Sequence, residues 1–315
     1  VVGHESEQVV AHLDEVAPWV ATVEQTQRNG TGHAVRVALE FLTGRGVATN
    51  EAPVVVLTGD TPLLTGESLV AMLMKHVESA ATATVLTADL DSPFGYGRVL
   101  RSSDRVVGIV EEKDATPQQR EISEINSGMY AFDGAALLDA ITGLNTNNSQ
   151  GEEYLTDVIE ILASRGDVVI GVGAHNTSDI LGINDRSQLA AAMAIMRDRI
   201  NDKWMKAGVT MLDPESTWID VDAELAPDVT LFPQTTVRGP TAIETGAQVG
   251  PGTTLISAEI GVNAIVRHTW AELVVIGAGA TVGPYSYLRP GTVIGASGKA
   301  GAFVEMKNAQ LGEGS

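Results

Sequence analysis

Two domains of different build are predicted: an α/β domain first, then a parallel β-helix of hexapeptide repeats. Three observations carry this. To about residue 140, short apolar β-branched runs alternate with segments of helical apolar spacing, which is α/β grammar. After residue 215 an aliphatic side chain recurs every sixth position, at Ile219, Leu225, Leu231, Val237, Ile243, Val249 and Leu255. Two positions before most of these stands a small or β-branched residue: Ala223, Val229, Thr235, Thr241, Ala247 and Thr253. A period of six fits neither a helix nor an alternating strand. It fits a solenoid with three repeats to a coil and the aliphatic stack inside.

The elements follow in order. Val1-Val-Gly-His-Glu-Ser-Glu reads as a strand end entering a helix from Ser6 to about Leu13, as if cut inside a domain, and residues 20–25 read as a second strand. Gln25-Thr-Gln-Arg-Asn-Gly30-Thr31-Gly32-His33 is a turn into a helix from Val35 to Leu42. Such a turn can present backbone amides to an anion or a base edge, or simply be flexible. Pro53-Val54-Val55-Val56-Leu57 is a buried strand that delivers Asp60 in Thr58-Gly59-Asp60-Thr61-Pro62-Leu63, before a helix beginning near Thr65. That edge of an α/β sheet is where ligands collect, so Asp60 is the first candidate functional residue, with a plain helix cap as the alternative.

Strands are expected at Ala83–Asp89, Val106–Val110, Ile125–Phe132 and Val168–Val172. In the loop Phe94-Gly95-Tyr96-Gly97-Arg98, two glycines allow close backbone approach to a ligand or a tight turn. Short helices are expected at Ala135–Ile141 and Leu155–Ser164, and a long one from Ser187 to about Ala207. The expected domains are 1–186, a linker helix at 187–214, and a β-helix at 215–315. The six-residue period breaks at 258–275 and 296–309, where loops are expected to leave the coils. The chain stops in mid-repeat at Leu311-Gly-Glu-Gly-Ser315.

Composition excludes several functions. The 315 residues carry a formal net charge of −20 with no Lys/Arg cluster, which argues against a nucleic-acid partner. There is no cysteine, so thiolate chemistry and Cys-ligated metals are excluded. No stretch is long and apolar enough to span a membrane, and no signal pattern opens the chain, so a cytoplasmic location is expected.

Taken together, the motifs resemble one family: the bacterial bifunctional N-acetylglucosamine-1-phosphate uridyltransferase / glucosamine-1-phosphate acetyltransferase. They are Gly30-Thr31-Gly32-His33-Ala34; Thr58-Gly59-Asp60-Thr61-Pro62-Leu63; Phe94-Gly95-Tyr96-Gly97-Arg98; Val110-Glu111-Glu112-Lys113-Asp114; Glu124-Ile125-Asn126; Tyr154-Leu155-Thr156-Asp157; Gly182-Ile183-Asn184-Asp185-Arg186; Leu288-Arg289-Pro290-Gly291; and Phe303-Val304-Glu305-Met306-Lys307-Asn308. The alanine- and glycine-rich, acidic composition looks actinobacterial. The resemblance implies a Rossmann-like, GT-A type nucleotidyltransferase domain and a left-handed β-helix. It implies a Mg²⁺-dependent nucleotidyltransferase and acyltransferase, using UTP and acetyl-CoA, with N-acetylglucosamine-1-phosphate and glucosamine-1-phosphate as sugar substrates, in a homotrimer.

Residue by residue, the resemblance implies that Asp60 and Asn184 hold Mg²⁺. Gln25, Gly30 and Thr31 recognise the uracil and ribose; Gly97, Glu111, Asn126 and Tyr154 line the sugar pocket. Arg289 and Lys307 contact the phosphorylated sugar of acetyl transfer. Asn184 could instead be only a helix cap, the register could favour Glu112 over Glu111, and Arg289 and Lys307 could be ordinary edge charges. His33 is given no catalytic part, and His268 precedes Arg289 whereas the family's acetyl-transfer base follows it.

The family's glycine-rich loop Leu-Ala-Ala-Gly-x-Gly-Thr-Arg-Met and its catalytic lysine do not stand before Val1, and the acetyl-CoA coils come after the point where the chain stops. The expectation is a segment impaired in both reactions, with no certain catalytic residue of its own. Two other functions are weighed: a hexose-1-phosphate nucleotidyltransferase with a regulatory β-helix, and a non-catalytic trimerising fragment.

Overall fold

The computed structural model describes residues 1–315 and divides into two compact units, Val1–Asp185 and Arg186–Ser315. In the first, a six-stranded sheet runs in the order β4-β3-β5-β2-β6, with β1 also paired to β5. The strands are β1 (Val54–Val56), β2 (Ala83–Asp89), β3 (Arg98–Ser102), β4 (Arg105–Val110), β5 (Glu124–Phe132) and β6 (Val169–Gly173). Only β2 and β6 pair in parallel, so the sheet is mixed.

Alternation along β2 shows why a sheet this apolar needs cover on both faces. Ala83 and Val85 pack with Val35 and Leu39 of helix α1 (Thr31–Gly44) and with Leu137, Ile159 and Leu162. Leu86 and Ala88 face the other way, onto Met72 of helix α2 (Gly66–Glu78) and Ile180. The helix α2 starts where Thr65 accepts a bond from the Ser68 amide, an N-cap that satisfies one of its open donors.

The strand expected at residues 20–25 does not form. Its only pairing is an isolated parallel bridge of Val2 with Glu24, closed by Val2 N to Val23 O (2.9 Å) and Gln25 N to Val2 O (2.8 Å). A strand persists only where a partner continues its ladder, and beyond Val2 the chain turns into the helix Ser6–Val16.

The second unit opens with the helix Arg186–Lys206 and continues as a left-handed parallel β-helix of three six-stranded sheets. Leu231, Val237, Ile243, Val249 and Leu255 stack inside at 2% exposure or less, as the six-residue period requires. The buried threonines that precede them are satisfied locally. Thr235, Thr241 and Thr292 donate to the carbonyls of Phe232, Arg238 and Arg289, each at 2.7 Å.

Residues 258–275 and 296–309 do not leave the coils as loops; they form regular strands. Across 296–306 the coils keep eighteen residues, as Thr281 with Lys299 and Tyr287 with Glu305 show, and Ala300 holds the stack position. Across 258–275 the period breaks because coils shorten. Thr236 pairs with Thr254, a coil of eighteen residues, whereas Thr254 pairs with Trp270, a coil of sixteen. The aliphatic stack continues through Ile260, Val266, Ala271 and Ile276 at shifted spacing. No helix of the chain is long and apolar enough to cross a membrane.

Candidate active site

A cleft of about 720 Å³ opens in the first unit, over the sheet end where β1, β3, β4 and β5 deliver their loops. Five of the expected residues line it: Thr31, Asp60, Gly97, Glu111 and Asn126. Ser127, Gly128, Tyr130 and Thr156 also line it, and none of these four carries an expectation from sequence. Thr156 had a visible signal, since it sits inside the Tyr154-Leu155-Thr156-Asp157 motif. Tyr130 had none, because an aromatic in a buried strand reads as core.

Gly97, Glu111 and Asn126 form one corner. A Cβ built on Gly97 would lie 3.4 Å from Glu111 Oε2 and 3.6 Å from Asn126 Cβ, so the bare glycine leaves the space the other two side chains face. Thr156 Oγ1 donates to Glu111 Oε1 at 3.3 Å. Burial pushes the Glu111 carboxyl above the usual carboxylate range; the Thr156 bond opposes this, and the charges of Asp114 and Asp157 add to it. Asn126 donates through Nδ2 to Tyr130 Oη at 2.7 Å and accepts through Oδ1 from the Gly128 amide at 3.1 Å, so both ends of its amide are oriented. Glu112 points elsewhere, into an ion pair with Arg98 at 2.7 Å. Of the two adjacent glutamates, Glu111 is the one in the cleft.

The Gly30-Thr31-Gly32 turn is bare for a reason internal to the chain. A Cβ on Gly30 would meet Glu153 O at 2.5 Å, and one on Gly32 would meet Leu144 Cδ1 at 2.4 Å and Glu153 O at 3.0 Å. The Gly32 amide donates to Glu153 O (2.8 Å), and the Leu155 amide donates to Thr31 Oγ1 (3.1 Å). Of the amides this turn could have offered an anion, that of Gly32 is spent on holding residues 153–155. Overpacking here is expected to lower the stability of Gly32→Ala by about 2 kcal/mol in urea unfolding. A variant as stable as the parent would mean that Leu144 swings aside.

Gln25 stands beside this turn, outside the cleft lining. Its Nε2 donates to Gly30 O (3.0 Å) and meets His33 Nδ1 at 2.9 Å. A carbonyl only accepts, so the amide nitrogen must face Gly30, which leaves Gln25 Oε1 as the acceptor for a ligand. His33 orients Gln25 from outside the cleft lining. Tyr154 lies in a neighbouring groove that shares Glu111 and Thr156 with the cleft, and its hydroxyl accepts from Gln150 Nε2 at 2.7 Å.

Asp60 and Asn184 meet across Gly182, although they are far apart in sequence. Asp60 Oδ2 lies 3.6 Å, and Asn184 Nδ2 4.0 Å, from where a Gly182 Cβ would stand. The Ile183 amide donates to Asp60 O at 2.9 Å and ties the two segments together. A carboxylate is a hard donor, and the Asn184 carboxamide is one too once its amide is turned so that Oδ1 replaces Nδ2 at the gap. In that orientation, with no side chain at Gly182, the pair suits a small divalent cation completed by water and phosphate oxygens.

In the solenoid, Tyr287 pairs with Glu305 and Leu288 with Met306, which brings Arg289 and Lys307 to the same corner of adjacent coils. The Arg289 amide donates to Met306 O (2.9 Å), and its guanidinium meets Glu305 Oε1 at 3.1 Å. Lys307 is exposed.

A cleft at the loop-bearing end of a mixed α/β sheet, in a chain that continues as a β-helix, is what comparison with known proteins can place. A profile of the nucleotidyl transferase family matches residues 2–221. The chain is 48% identical over 316 residues to the bifunctional protein GlmU of Streptomyces avermitilis, covering 100% of this chain and 65% of that relative. It is 49% identical to the bifunctional protein GlmU of Streptomyces coelicolor over the same shares. With the bifunctional protein GlmU of Cutibacterium acnes the identity is 48%, over 99% of this chain and 75% of the relative. The chain belongs to the nucleotidyl transferase family and, within it, to the bifunctional GlmU proteins. It spans about 65% of the length of the two Streptomyces relatives.

Proposed function

We propose that the first unit binds UTP and N-acetylglucosamine-1-phosphate for uridylyl transfer, and that the solenoid holds the sugar-phosphate side of acetyl transfer from acetyl-CoA to glucosamine-1-phosphate. The observation that carries this is the convergence of Thr31, Asp60, Gly97, Glu111 and Asn126 on one cleft of a nucleotidyl transferase fold. In uridylyl transfer a phosphate oxygen of the sugar phosphate bonds to the α-phosphorus of UTP as the bond to the β-phosphate oxygen breaks and pyrophosphate leaves. Such chemistry needs alignment and charge neutralisation rather than a covalent protein intermediate.

The residues divide these tasks. Gln25 Oε1 accepts from the imide N–H of uracil, a donor that cytosine lacks. Glu111 and Asn126 take the sugar's hydroxyl and amide groups over Gly97, and Tyr154 backs that pocket from the neighbouring groove. Asp60 and Asn184 would hold Mg²⁺, which supplies positive charge to the nucleotide phosphates when bound. Arg289 and Lys307 would supply charge to the phosphate of glucosamine-1-phosphate at the solenoid corner. We extend the proposal to a cytoplasmic homotrimer, supported by the flat solenoid faces with their exposed Trp270 and Tyr287.

The test is calorimetric titration with N-acetylglucosamine-1-phosphate and, separately, glucose-1-phosphate. Binding of the second alone would sink the proposal and favour a hexose-1-phosphate enzyme. Glu111→Gln adds a signed pH test. A carboxylate is a better acceptor for a hydroxyl than a carboxamide, so parent affinity should fall as pH drops through the raised Glu111 pKa, while the variant stays flat. For stability, a carboxyl whose pKa is raised by folding favours the fold only at low pH, and that contribution is lost as pH rises through the raised value. Glu111→Gln should therefore melt higher than the parent at neutral pH, with the difference closing toward the ordinary carboxylate pKa.

A further inference from the structure

The segments that carry Asp60 and Asn184 are joined by more than the Ile183 amide. Asp179 lies five residues before Asn184, just ahead of Gly182. It is 1% exposed, and its Oδ2 accepts from Thr65 Oγ1 and Ser68 Oγ, each at 2.6 Å. Thr65 and Ser68 open the helix α2, the first element after Asp60. Ser68 Oγ accepts in turn from the His175 amide at 3.0 Å, on the approach to the same turn.

A carboxylate with so little exposure is costly to keep unless its bonds do something an apolar packer could not. Here charge-assisted, short hydroxyl bonds lock residues 175–180 onto the N-terminus of α2. The chain from Thr65 back to Asp60 and the chain from Asp179 forward to Asn184 are each only five residues long. With both anchored at one buried carboxylate, the gap at Gly182 has little freedom.

We infer that Asp179, through Thr65 and Ser68, is the positioning residue that sets the spacing of Asp60 and Asn184, and thereby the affinity of that pair for a divalent cation. This rests on the cation role proposed for the pair. Asp179 itself touches no cation. It acts as an outer-sphere orienter acts elsewhere, where loss of such a partner lowers metal affinity about 10- to 100-fold.

The probe is Mn²⁺ alone, followed by water-proton relaxation and by the electron paramagnetic resonance signal of the free ion. Asp179→Asn and Ser68→Ala are each expected to weaken Mn²⁺ binding about tenfold. Thr65→Val should do the same, and Thr65→Ser, which restores the hydroxyl, should bind as the parent does. That rescue separates positioning from a general loss of stability, and it decides the matter if Asp179→Asn does not fold. Asp60→Ala should remove the binding. If Asp60→Ala binds Mn²⁺ like the parent, the cation role itself fails. If Asp60→Ala loses binding while Ser68→Ala and Thr65→Val keep it, the cation role stands and the positioning role of Asp179 is overturned.

Discussion

Asp60→Ala is expected to lower UTP-dependent turnover of N-acetylglucosamine-1-phosphate about a thousandfold, measured in the full-length protein. The expectation follows from geometry. Asp60 is the carboxylate nearest the Gly182 gap, and Asn184, the other residue proposed to hold the cation, is neutral, so removing Asp60 removes the charged member of that pair. The loss should fall on kcat rather than on the KM for the sugar phosphate, because the residues proposed to take the sugar, Gly97, Glu111 and Asn126, line the cleft from other strands. Asp60→Asn keeps one oxygen and should lie between the two. Asn184→Ala removes only the neutral member of the proposed pair and should cost less than Asp60→Ala. A raised sugar-phosphate KM with unchanged kcat would move Asp60 out of the cation role and into the sugar site.

What the sequence made legible divides by the range of the forces involved. The solenoid was readable because its period of six is repeated by local backbone geometry, and each aliphatic needs only its neighbours above and below. Even there the shortened coils hid, because one lost residue between Leu255 and Ile260 destroys the phase that the eye follows while leaving the stack intact. Five of the sheet's six strands were readable one by one; β3 was not, because its short run opens straight out of the Gly95–Gly97 turn, and neither was the strand order, since pairing between β2 and β5 is decided by contacts remote in sequence. In the site, Asp60 and Glu111 follow strands and Asn126 stands near the start of one, and all three announce themselves. Tyr130 and Asp179 do not. Each earns its role from a partner reached only in three dimensions, Asn126 for Tyr130 and the start of α2 for Asp179. The Gly30-Thr31-Gly32 turn shows the converse. Its glycines looked like an anion cradle, and much of their bareness serves the close approach of Glu153.

Arg98→Met is expected to be the most destabilising of these substitutions, at about 3 kcal/mol or more in urea unfolding of the first unit. Arg98 is 2% exposed, and its guanidinium pairs with Glu112 at 2.7 Å. It also donates to the carbonyls of Tyr96 and, at 3.5 Å, Arg120. Methionine fills much of the volume but leaves Glu112 without its close partner, and a largely buried charge so stranded costs more than the pair ever contributed. The Glu112 side chain is 21% exposed with Arg120 within 3.9 Å, which places the cost near the low end for a broken buried pair. The double variant Arg98→Met with Glu112→Leu should therefore recover most of the stability, because it removes the stranded charge along with its partner. Sugar-phosphate affinity should not recover with it. The guanidinium is what ties the Tyr96 carbonyl, and through it the Gly95–Gly97 loop, against the cleft where Gly97 faces Glu111. Stability restored without affinity would show that the buried pair positions the sugar site. Affinity restored along with stability would show that the Gly97 loop holds its place without Arg98.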